Sequence, residues 1–439
     1  MFARPTHPNA DVRMRGFAHR ATVEQALAWL GDQPNLDGQL TLLPDEHVSL
    51  TESAGRVLAH DVVSEVDVPG FDRAMMDGYA LCASDTSGAT PYNGLPLKIL
   101  GEALPAQPFD GAVSPGTAVR IMTGSPVPDG ADAVLPCEKT ETHEKTETDP
   151  ANVRQVMVQG EVSPGKHVGR RGEDVAAGTV VLRQGRVLRP QDVGVLSSIG
   201  VSQVPVVRQP QVNIIATGNE LLPPGTRPSG YRVADANSPM LAALVDRDGG
   251  QPRFSQCVAD EPRQILAALD EEADVVLVSG GSSVGQEDYV ASLLAEHGEL
   301  AIHGVAMRPS SPVGMGTLDG RLVFLLPGNP VSCLCAYDFF AGRALRTLGG
   351  RNPNWPYDRK RAVLNRKIVS VVGRVDYARV QLADGRVEPL AISGASMLTS
   401  TTRADGFVIV PGDSEGYAEG AEVEVFLYDK DPAPDFPDS

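Results

Sequence analysis

The sequence lacks the features that mark several classes of protein. None of its apolar runs approaches the ~18–20 residues of a membrane-spanning helix, so we expect no transmembrane segment. Its first residues contain no apolar core typical of a signal peptide, and we expect none there. The chain has only 5 cysteines, scattered and odd in number, which favours a reduced, cytoplasmic protein.

Basic residues are few compared with acidic ones. The 38 Lys and Arg residues face 56 Asp and Glu residues, which gives a formal net charge of −18. A chain with this balance repels phosphate backbones and anionic lipids on average, so binding to nucleic acid or to a membrane surface is disfavoured. A local basic pocket for a small anion is compatible with the same balance.

The residue types of metal and nucleophile sites show no recognisable arrangement. The cysteines form no metal-binding quartet, and the 8 histidines have no ligand spacing. Cys333 and Cys335 are two positions apart on a predicted helix and face different directions, so we interpret both as core or surface thiols. No Ser–His–Asp arrangement can be identified.

Glycine and proline, in contrast, are abundant, with 45 and 35 residues. Between Val62 and Arg208 they separate short apolar runs, a pattern that predicts antiparallel β modules. Within this region the charged tandem repeat EKTETHEKTET at Glu138–Thr148 is interpreted as a solvated hairpin tip or loop.

The two ends of the chain have patterns of their own. Thr22 and Gln25 predict a capping box at the start of a first helix. A second helical or mixed stretch is expected around residues 45–60. After a linker at residues 351–361, residues 362–428 return to short strands, which indicates a small β-barrel or sandwich.

Residues 210–350 have the pattern of an α/β domain. Three apolar runs of strand length lie among helical patterns, and they are Val212–Ala216, Val275–Ser279 and Leu322–Leu326. The helices are predicted to begin with Ser238 as N-cap, near Asp260–Pro262, at Glu287, and at Pro330 with an end at Leu348. This alternation predicts a parallel sheet covered on both faces, with ligands bound beyond the carboxyl ends of the strands.

Each of the three strands leads into a loop that contains glycine. The loops are Thr217–Glu220, Ser279–Gly285 and Pro327–Pro330. Small residues let a backbone approach a ligand, and hydroxyl and amide groups at a helix start suit an anion. The alternative is that these are tight turns between strand and helix.

Carboxylates accompany these loops. They are Glu220, Asp235, Asp260, Glu287 and Asp288. Several at one sheet edge would repel each other, and Mg²⁺ would relieve that repulsion and bridge to substrate phosphates. The alternative is that most of them are helix N-caps, which is the interpretation favoured for Asp260.

Three further strings lie outside this segment. PGFDRAMMDGYA at residues 69–80 and RIMTGSPVP at residues 120–128 reveal no chemistry by spacing alone. Arg170–Asp174 places two cations beside two anions, which suits a surface ion-pair turn as well as a binding site.

Seven strings together resemble the MoeA family of molybdopterin molybdenumtransferases, to which the C-terminal part of gephyrin is related. They are VPGFDRAMMDGYA, RIMTGSPVPDGADAV, RRGEDVAAGTVV, IIATGNELL, SGGSSVGQEDY, LLPGNPVSC and GRVDYARV. They occur in the order of the family, and the resemblance covers roughly residues 17–430. Chance agreement of seven ordered strings is negligible, so the chain is identified as a member of this family.

The resemblance implies a multidomain α/β and β fold. Its four domains would be an elongated helical and β domain (17–68 and 160–208), an inserted β domain (69–159), a three-layer α/β molybdopterin-binding domain (209–351) and a C-terminal β-barrel (352–430).

The resemblance also implies the activity and its partners. Molybdate would be inserted into adenylylated molybdopterin, with Mg²⁺ as the ion and with release of AMP. The family is homodimeric, with the active site between the α/β domain of one subunit and the inserted region of the other. Asp77 and Thr123 would then meet the sheet-edge loops of a second copy.

The matching motifs imply a set of site residues. Catalytic roles fall to Asp77, Thr123, Asp174, Glu220, Asp288 and Arg308. Substrate binding falls to Ser279, Gly280, Gly281, Ser283, Gly285, Pro327, Gly328, Asn329, Pro330 and Arg379, with Asp235 added from the sheet-edge pattern. Glu220 and Asp288 are the implied Mg²⁺ ligands.

The chain departs from the family pattern on the side that handles anions. Gly304, Arg308 and Ser311 occupy positions where the family usually has lysine, so two of three cations are lost. Arg308 keeps one charge and can hold an oxyanion through two parallel hydrogen bonds. The other differences are Ala395 in place of serine and Asn219 where aspartate is common.

These departures leave two hypotheses. The first is an active molybdenumtransferase with an altered anion pocket. The second is a non-catalytic paralogue that binds a molybdopterin nucleotide, or another pterin or nucleotide, as a carrier or scaffold.

Overall fold

The computed structural model describes residues 20–32, 40–143, 154–254, 257–280, 289–383, 385–391 and 394–429. The chain divides into two compact units. One consists of residues 1–46, 55–57 and 206–439, and the other of residues 47–54 and 58–205. No helix within the described ranges combines the length and hydrophobicity that a bilayer-spanning segment needs.

The first described helix, α1, spans Val23–Gly31, and its start confirms the predicted capping box. The backbone N–H of Gln25 donates to Oγ1 of Thr22 at 3.2 Å, and the backbone N–H of Thr22 donates to Oε1 of Gln25 at 2.9 Å. The stretch around residues 45–60 is mixed rather than helical. Its elements are the strand Asp45–Ser49 and the 3₁₀ turn Leu50–Glu52.

The unit of residues 47–54 and 58–205 contains a six-stranded sheet. Its strands are β1 (Gly78–Leu81), β2 (Leu95–Ala103), β3 (Thr117–Ile121), β4 (Ala133–Pro136), β5 (Thr140–His143) and β6 (Gln155–Val158). Their spatial order is β4-β1-β3-β2-β6-β5. Alternate residues of β1 enter different apolar clusters, Tyr79 one and Ala80 the other, so both faces of the sheet are buried.

The prediction of antiparallel β modules is wrong at one pair of strands. Four of the five pairings in this sheet are antiparallel, but β2 and β3 run parallel. The reason is the connection between Ala103 and Thr117, which returns the chain to the end of the sheet where β2 began. Parallel neighbours require such a return, whereas a tight hairpin gives antiparallel strands.

Residues 62–207 also contain several smaller elements. They are helix α2 (Pro190–Ser198), the strands Val62–Val63, Arg73–Ala74, Val168–Gly169, Val180–Leu182 and Gln203–Val207, and the 3₁₀ turns Ala83–Thr86 and Cys137–Lys139. The described part of the tandem repeat lies in the turn Cys137–Lys139 and in β5, which pairs with β6. Residues 144–148 of the repeat lie outside the described residues.

The other unit contains the predicted α/β sheet. Its strands are β7 (Gln211–Ala216), β8 (Gln251–Phe254), β9 (Val275–Ser279), β10 (Glu299–His303), β11 (Gly314–Leu318) and β12 (Arg321–Leu326). The spatial order is β8-β7-β9-β12-β11-β10. The four strands from β8 to β12 in this order are parallel, as predicted.

The last two strands of this sheet correct the prediction, because β11 and β10 are antiparallel. β11 joins β12 through Asp319 and Gly320, whose φ angles are 47° and 78°. Two successive residues with positive φ form the tight turn that a two-residue hairpin needs. The sheet is therefore mixed, with an antiparallel edge.

Helices surround this sheet. They are α3 (Asn237–Arg247), α4 (Pro262–Leu269), α5 (described over Tyr289–His297), α6 (Pro330–Ala336) and α7 (Gly342–Leu348). α4 and α5 cover one face, where Ile265 and Val290 cluster with Ile215 of β7. α3 contacts β7, β8, α6 and α7 and lies outside this cluster.

Two predicted helix boundaries need correction. α3 begins at Asn237, so Ser238 is not its N-cap. The helix expected from Pro330 to Leu348 is interrupted between α6 and α7 by a π turn, Tyr337–Ala341. The predicted start of α5 at Glu287 lies outside the described residues.

The C-terminal strands form a closed barrel. They are β13 (Asp358–Leu364), β14 (Val375–Ala383), β15 (Arg386–Ala391), β16 (Gly406–Val410) and β17 (Glu422–Leu427). The order β14-β15-β13-β17-β16 closes through pairing of β16 with β14. This decides between the barrel and the sandwich in favour of the barrel.

Short elements of the same unit remain. They are the strands Leu221–Leu222, Val233–Ala234, Met307–Arg308, Ile368–Val369 and Gly416–Tyr417, and the single-turn helix α8 (Thr399–Thr402).

A buried polar network lies where α3 ends, beside the π turn and α7. Asp248 is 1% exposed and accepts hydrogen bonds from Arg247 at 2.9 Å, Arg346 at 2.8 Å and the Tyr337 hydroxyl at 3.0 Å. Arg247 also donates to buried Asp338 at 3.0 Å. Two arginines therefore compensate two buried carboxylates.

Candidate functional site

The three glycine-containing loops start side by side at one edge of the α/β sheet. β7, β9 and β12 are neighbours, and Ser279 at the end of β9 is in register with both Ala216 and Leu326. The backbone N–H of Thr217 donates to the Ser279 carbonyl at 3.0 Å, and that of Gly280 donates to the Leu326 carbonyl at 3.1 Å. The predicted convergence is confirmed for these loop starts.

Gly280 shows why the middle loop requires glycine. Its φ is +101°, and a Cβ added there would lie 2.3 Å from the Thr217 carbonyl oxygen. The Cα of Gly280 also lies within ordinary contact distance of Gly328, 3.7 Å from the position of a Cβ there. The absence of a side chain at Gly280 therefore lets its loop lie close to the loop after β7.

Asp260 does not cap α4, which corrects the favoured interpretation. Its Oδ1 accepts from the Thr217 hydroxyl at 2.6 Å, and its Oδ2 accepts from the backbone N–H of Asn219 at 3.1 Å. The N-cap of α4 is Glu261, without a side-chain capping bond. Asp260 therefore holds the loop after β7, because its two carboxylate oxygens accept from two donors of that loop.

Asp235 is buried, and its side chain caps the start of α3 from the position before the N-cap residue, Ala236. Its Oδ1 accepts from the backbone N–H groups of Asn237 at 2.9 Å and Ser238 at 3.1 Å. Cys257 donates its thiol to Oδ2 at 3.9 Å, and burial together with this carboxylate raises the pKa of that thiol. At the sheet edge, Asp235 therefore bonds to the start of α3 through one carboxylate oxygen and to the Cys257 thiol through the other.

Glu220 is an exposed carboxylate on the loop after β7. A Cβ on Gly218 would lie 2.9 Å from both of its carboxylate oxygens, so the Glu220 side chain folds back over that glycine. Asp288, Gly281, Ser283 and Gly285 lie outside the described residues. Within the described ranges no three metal-ligating side chains cluster tightly enough to hold an ion.

The loop before α6 is held from the barrel side as well. Pro327 is buried, whereas Gly328 and Asn329 are exposed. The backbone N–H of Val331 donates to the carbonyl of Ala395 at 3.0 Å. The chain position with alanine in place of the family serine therefore touches the start of α6 through its backbone.

Both thiols of α6 are core groups. Cys333 and Cys335 are fully buried. Burial raises the pKa of Cys333 to about 12, partly offset by a hydrogen bond with Ser279. A thiol so buried stays protonated and acts as packing.

Arg308 already has a protein partner. Its guanidinium forms an ion pair with Asp376, which is wholly buried on β14 and also accepts from the Ser370 hydroxyl at 2.8 Å. Arg374 lies 3.1 Å from the other oxygen of Asp376. The charge retained at position 308 is therefore largely compensated within the fold.

Gly304 occupies a position that resists a lysine. Its φ is +89°, in the region that favours glycine. Its backbone N–H donates to the Val313 carbonyl, and its carbonyl accepts from Ala21. A lysine at this position would therefore strain the backbone.

Arg379 lies in β14 and is completely buried. Burial lowers the pKa of this guanidinium, while Tyr428 and Tyr377 act in the opposite direction. Its surroundings are the aromatic interior between the barrel and α6 rather than an open surface.

Asp77 and Thr123 are brought together in the other unit. Oδ1 of Asp77 accepts from both the backbone N–H and the hydroxyl of Thr123, each at 2.7 Å. The N–H and then the hydroxyl hold the pKa of Asp77 below its ordinary value. Both residues are exposed, and the second carboxylate oxygen of Asp77 is not part of this pair.

Asp174 is an exposed residue at the end of the turn 170–174. The preceding residues of this turn form ion pairs with residues 67–73 rather than with each other. The pairs are Arg170–Asp72 at 2.6 Å, Arg171–Asp67 at 2.6 Å and Glu173–Arg73 at 3.2 Å. The ion pairs are therefore present, but they join residues 170–173 to residues 67–73 instead of forming within the turn.

The sequence reasoning missed two residues of these sites. Asn237 bridges two of the sheet-edge loops, and its signal was its place two residues after the carboxylate Asp235 at a helix start. Asp376 neutralises Arg308, and only its place inside the string GRVDYARV marked it.

Comparison with known proteins identifies the family. Three family descriptions match: the MoeA N-terminal region, domains I and II, over residues 21–200, the probable molybdopterin binding domain over residues 213–347, and the MoeA C-terminal region, domain IV, over residues 361–428. The chain belongs to the MoeA family. The family and its transferase class, predicted from the seven strings, are thereby confirmed.

Relatives match over most of the chain. Molybdopterin molybdenumtransferase 2 of Mycobacterium tuberculosis is 37% identical over 394 residues, which are 86% of this chain and 94% of that protein. Molybdopterin molybdenumtransferase of Staphylococcus aureus is 31% identical over 403 residues, which are 90% and 94% of the two chains. This MoeA-family chain is thus similar to molybdenum-cofactor enzymes along nearly their whole length.

A solved structure supports the fold class. The molybdopterin biosynthesis MoeA protein of Pyrococcus horikoshii is 32% identical, with a TM-score of 0.78, over 94% of this chain and 100% of that one. The predicted multidomain α/β and β fold with a C-terminal barrel is confirmed.

Proposed function

We propose that this chain inserts molybdate into adenylylated molybdopterin in a Mg²⁺-dependent reaction that releases AMP. In that reaction the two dithiolene thiols displace one oxide of molybdate as water, and one water molecule adds to phosphorus as the bond between the two phosphates breaks. AMP leaves, and molybdenum stays on the dithiolene sulfurs without a change of oxidation state. The observation that carries the proposal is the sheet edge at which three glycine-containing loops start side by side, accompanied by carboxylates. Parallel sheets bind ligands at this position.

The residues of the sheet edge have distinct proposed roles. The backbone around Ser279, Gly280 and Gly328 would receive the pterin and its phosphate, with Gly281, Ser283, Gly285, Pro327, Asn329 and Pro330 completing these loops. Positioning and charge stabilisation account for most of the rate, since the protein need form no covalent bond. Arg379 would support this side from inside the barrel.

The donor chemistry at the edge fits Mg²⁺. Glu220 offers an exposed carboxylate, and Asp288 would be the second ligand, because hard oxygen donors are those that this ion prefers. Bound there, Mg²⁺ would neutralise charge on the substrate phosphates. Asp235 would remain a cap of α3 and contribute negative charge nearby.

The proposal includes a cytoplasmic homodimer in which the active site is completed by a second copy. Asp77, Thr123 and Asp174 of that copy would supply exposed polar groups to the loops. Support comes from the preformed Asp77–Thr123 pair, which keeps a carboxylate ionised at the surface. Mass measurement in solution at micromolar concentration tests the dimer directly.

A second candidate function rests on Arg308. Its pairing with Asp376, together with Gly304 and Ser311 at the other two lysine positions, leaves the anion side short of free charge. A carrier that binds the pterin nucleotide without turnover would not need the missing positive charges.

One experiment separates the two functions. Purified protein is incubated with adenylylated molybdopterin, Mg²⁺ and molybdate, and AMP and protein-bound molybdenum are measured. AMP release with retained metal supports the transferase, whereas binding without AMP release supports the carrier. Absence of both binding and AMP release contradicts both candidates.

Glu220→Gln tests the proposed metal ligand in the same assay. We expect turnover to fall and to need more Mg²⁺, because a neutral amide is a weaker ligand than a carboxylate. Glu272→Gln is the matched control, since Glu272 is an exposed carboxylate before the opposite end of β9. Equal behaviour of the two variants contradicts the ligand role of Glu220.

Ser311→Lys tests the anion pocket. If missing charge limits the reaction, this substitution should raise molybdate-dependent turnover, and an unchanged rate discards that explanation. The equivalent change at Gly304 is unsuitable, because a lysine at φ +89° strains the backbone.

A further inference from the structure

Asn237 holds two of the sheet-edge loops with one side chain. It is the first residue of α3 and is 6% exposed. Its Nδ2 donates to Oγ of Ser279 at 2.8 Å and to the carbonyl oxygen of Gly328 at 2.8 Å. Because a carbonyl oxygen can only accept, the bond to Gly328 fixes which end of the amide faces the loops.

The two acceptors belong to different loops. Ser279 ends β9, and Gly328 precedes α6. Since both hydrogens of Nδ2 are used, a change in the spacing of the loops breaks at least one bond. A buried amide left with an unmet donor is unfavourable, so the pair of bonds favours one spacing.

Asn237 is itself anchored. Its backbone N–H and that of Ser238 donate to Oδ1 of Asp235. The side chain therefore projects from a capped helix start, and the helix dipole and cap keep that start in place. The chain of contacts runs from Asp235 through Asn237 to both loops.

The Ser279 hydroxyl extends the same chain. It accepts from Asn237, and its hydrogen bond with Cys333 reaches the first turns of α6. The loop after β9 and the helix after the neighbouring loop are thus joined through two buried side chains.

We propose that Asn237 is a positioning residue of the pterin-nucleotide site, which sets the separation of the loops that begin at Ser279 and at Pro327. This inference rests on the proposed function for the identity of the ligand. The two hydrogen bonds from Asn237 to Ser279 and Gly328, which we call the clamp, are observed independently of the ligand. Asn237 acts on the substrate only through the loops it joins.

Asn213 offers a matched control. It lies within β7, is 1% exposed, and its Nδ2 donates to the Ala268 carbonyl at 2.8 Å. Both asparagines are thus buried amides bonded to a backbone carbonyl, and the carbonyl that Asn213 reaches belongs to α4. Loss of a buried hydrogen bond is common to Asn237→Ala and Asn213→Ala, whereas loss of the clamp occurs only in the first.

The test measures full-length variants by hydrogen–deuterium exchange and by steady-state kinetics with adenylylated molybdopterin. In Asn237→Ala we expect the backbone amides of Gly280, Gly328, Asn329 and Val331 to exchange at least about tenfold faster, and KM to rise by about tenfold, with a smaller change in kcat. Asn213→Ala should leave the exchange of these amides and KM near wild type. Asn237→Asp, which keeps the shape but cannot donate, should behave like the alanine variant.

The outcomes are distinct. Equal exchange of these amides in Asn237→Ala and Asn213→Ala overturns the clamp, and so does faster exchange with an unchanged KM. Wild-type protein without turnover contradicts the proposed function instead. In that case faster exchange with weaker binding of the nucleotide, read by calorimetry, still supports the positioning role, and unchanged binding overturns it.

Discussion

At the scale of single residues, Thr123 sets the charge state of Asp77. Its backbone N–H and its hydroxyl both donate to one carboxylate oxygen and lower the pKa of Asp77 from the ordinary 3.8. Because the folded-state pKa is the lower one, the resulting stabilisation is present above pH 3.8 and is lost as the pH falls through the folded-state pKa.

Thr123→Val should raise the pKa of Asp77 partway to its ordinary value. The substitution removes the hydroxyl donor but leaves the backbone N–H, which is the larger cause. The carboxyl resonance of Asp77 followed by NMR from pH 2 to pH 6 measures the change (about the range over which a carboxyl titrates). Thr117→Val, at the other end of β3, is the control, and an identical titration in both variants would show that the hydroxyl is irrelevant.

Gly280→Ala should destabilise the sheet edge. An L-residue at φ +101° costs about 1–3 kcal/mol, and the contact of its Cβ with the Thr217 carbonyl adds to that. Urea unfolding monitored by circular dichroism measures the loss. Gly194→Ala is the matched control, since this glycine lies in α2 with no atom near its Cβ position and should gain about 0.5–1 kcal/mol. A neutral Gly280→Ala would contradict the required close approach.

The residue types at the sheet edge could be predicted from the sequence, but their hydrogen-bond partners could not. The glycines and carboxylates of the loops were identified by their place after apolar strands. Asp260 was assigned to the wrong partner because an aspartate between a strand and a helix can bond to either side, and only the fold shows that its partners are Thr217 and Asn219.

At the scale of elements, α3 depends on Asp235. Two backbone N–H groups at its start donate to this one buried carboxylate. Asp235→Ala should therefore cost about 1–2 kcal/mol of unfolding free energy. Asp246→Ala, an exposed acid in the last turn of the same helix, should be neutral or slightly stabilising because a negative charge is unfavourable there. Urea midpoints of the two variants that coincide would refute the cap.

Local signals explain why some of the elements could be predicted. The capping box of α1 and the proline at the start of α4 needed only neighbouring residues. β11 was not among the predicted strands although Asp319–Gly320 is a hairpin signal, because the alternation of strands and helices favoured a parallel sheet throughout. The parallel pair β2 and β3 depends on a connection whose path the sequence pattern does not encode.

At the scale of the whole molecule, the network around Asp248 should dominate the stability of its unit. Asp248→Asn would leave Arg247 and Arg346 without their shared buried charge, so we expect a loss of about 3–5 kcal/mol. Glu424→Gln, which breaks an exposed pair with Arg359, should change stability by less than about 1 kcal/mol. Calorimetric unfolding of both variants measures the difference, and similar melting temperatures would contradict it.

Ion pairs between residues far apart in the chain could not be predicted from the sequence. Arg308 and Asp376 are 68 positions apart and belong to two strands that pair with each other. Family resemblance indicated the domains and the reaction, whereas neutralisation of the retained arginine became visible only in the fold.

The π turn Tyr337–Ala341 has a geometric consequence. Each residue of an α-helix rotates the chain by ~100°, so one additional residue in a wider turn changes the phase of all that follows. Before it, Cys333 faces the end of β9, and after it, Arg346 reaches Asp248. Removing a single residue from this turn would restore a regular helix but rotate Arg346 away from the Asp248 carboxylate. The π turn therefore allows one continuous helix to place Cys333 toward β9 and Arg346 toward Asp248.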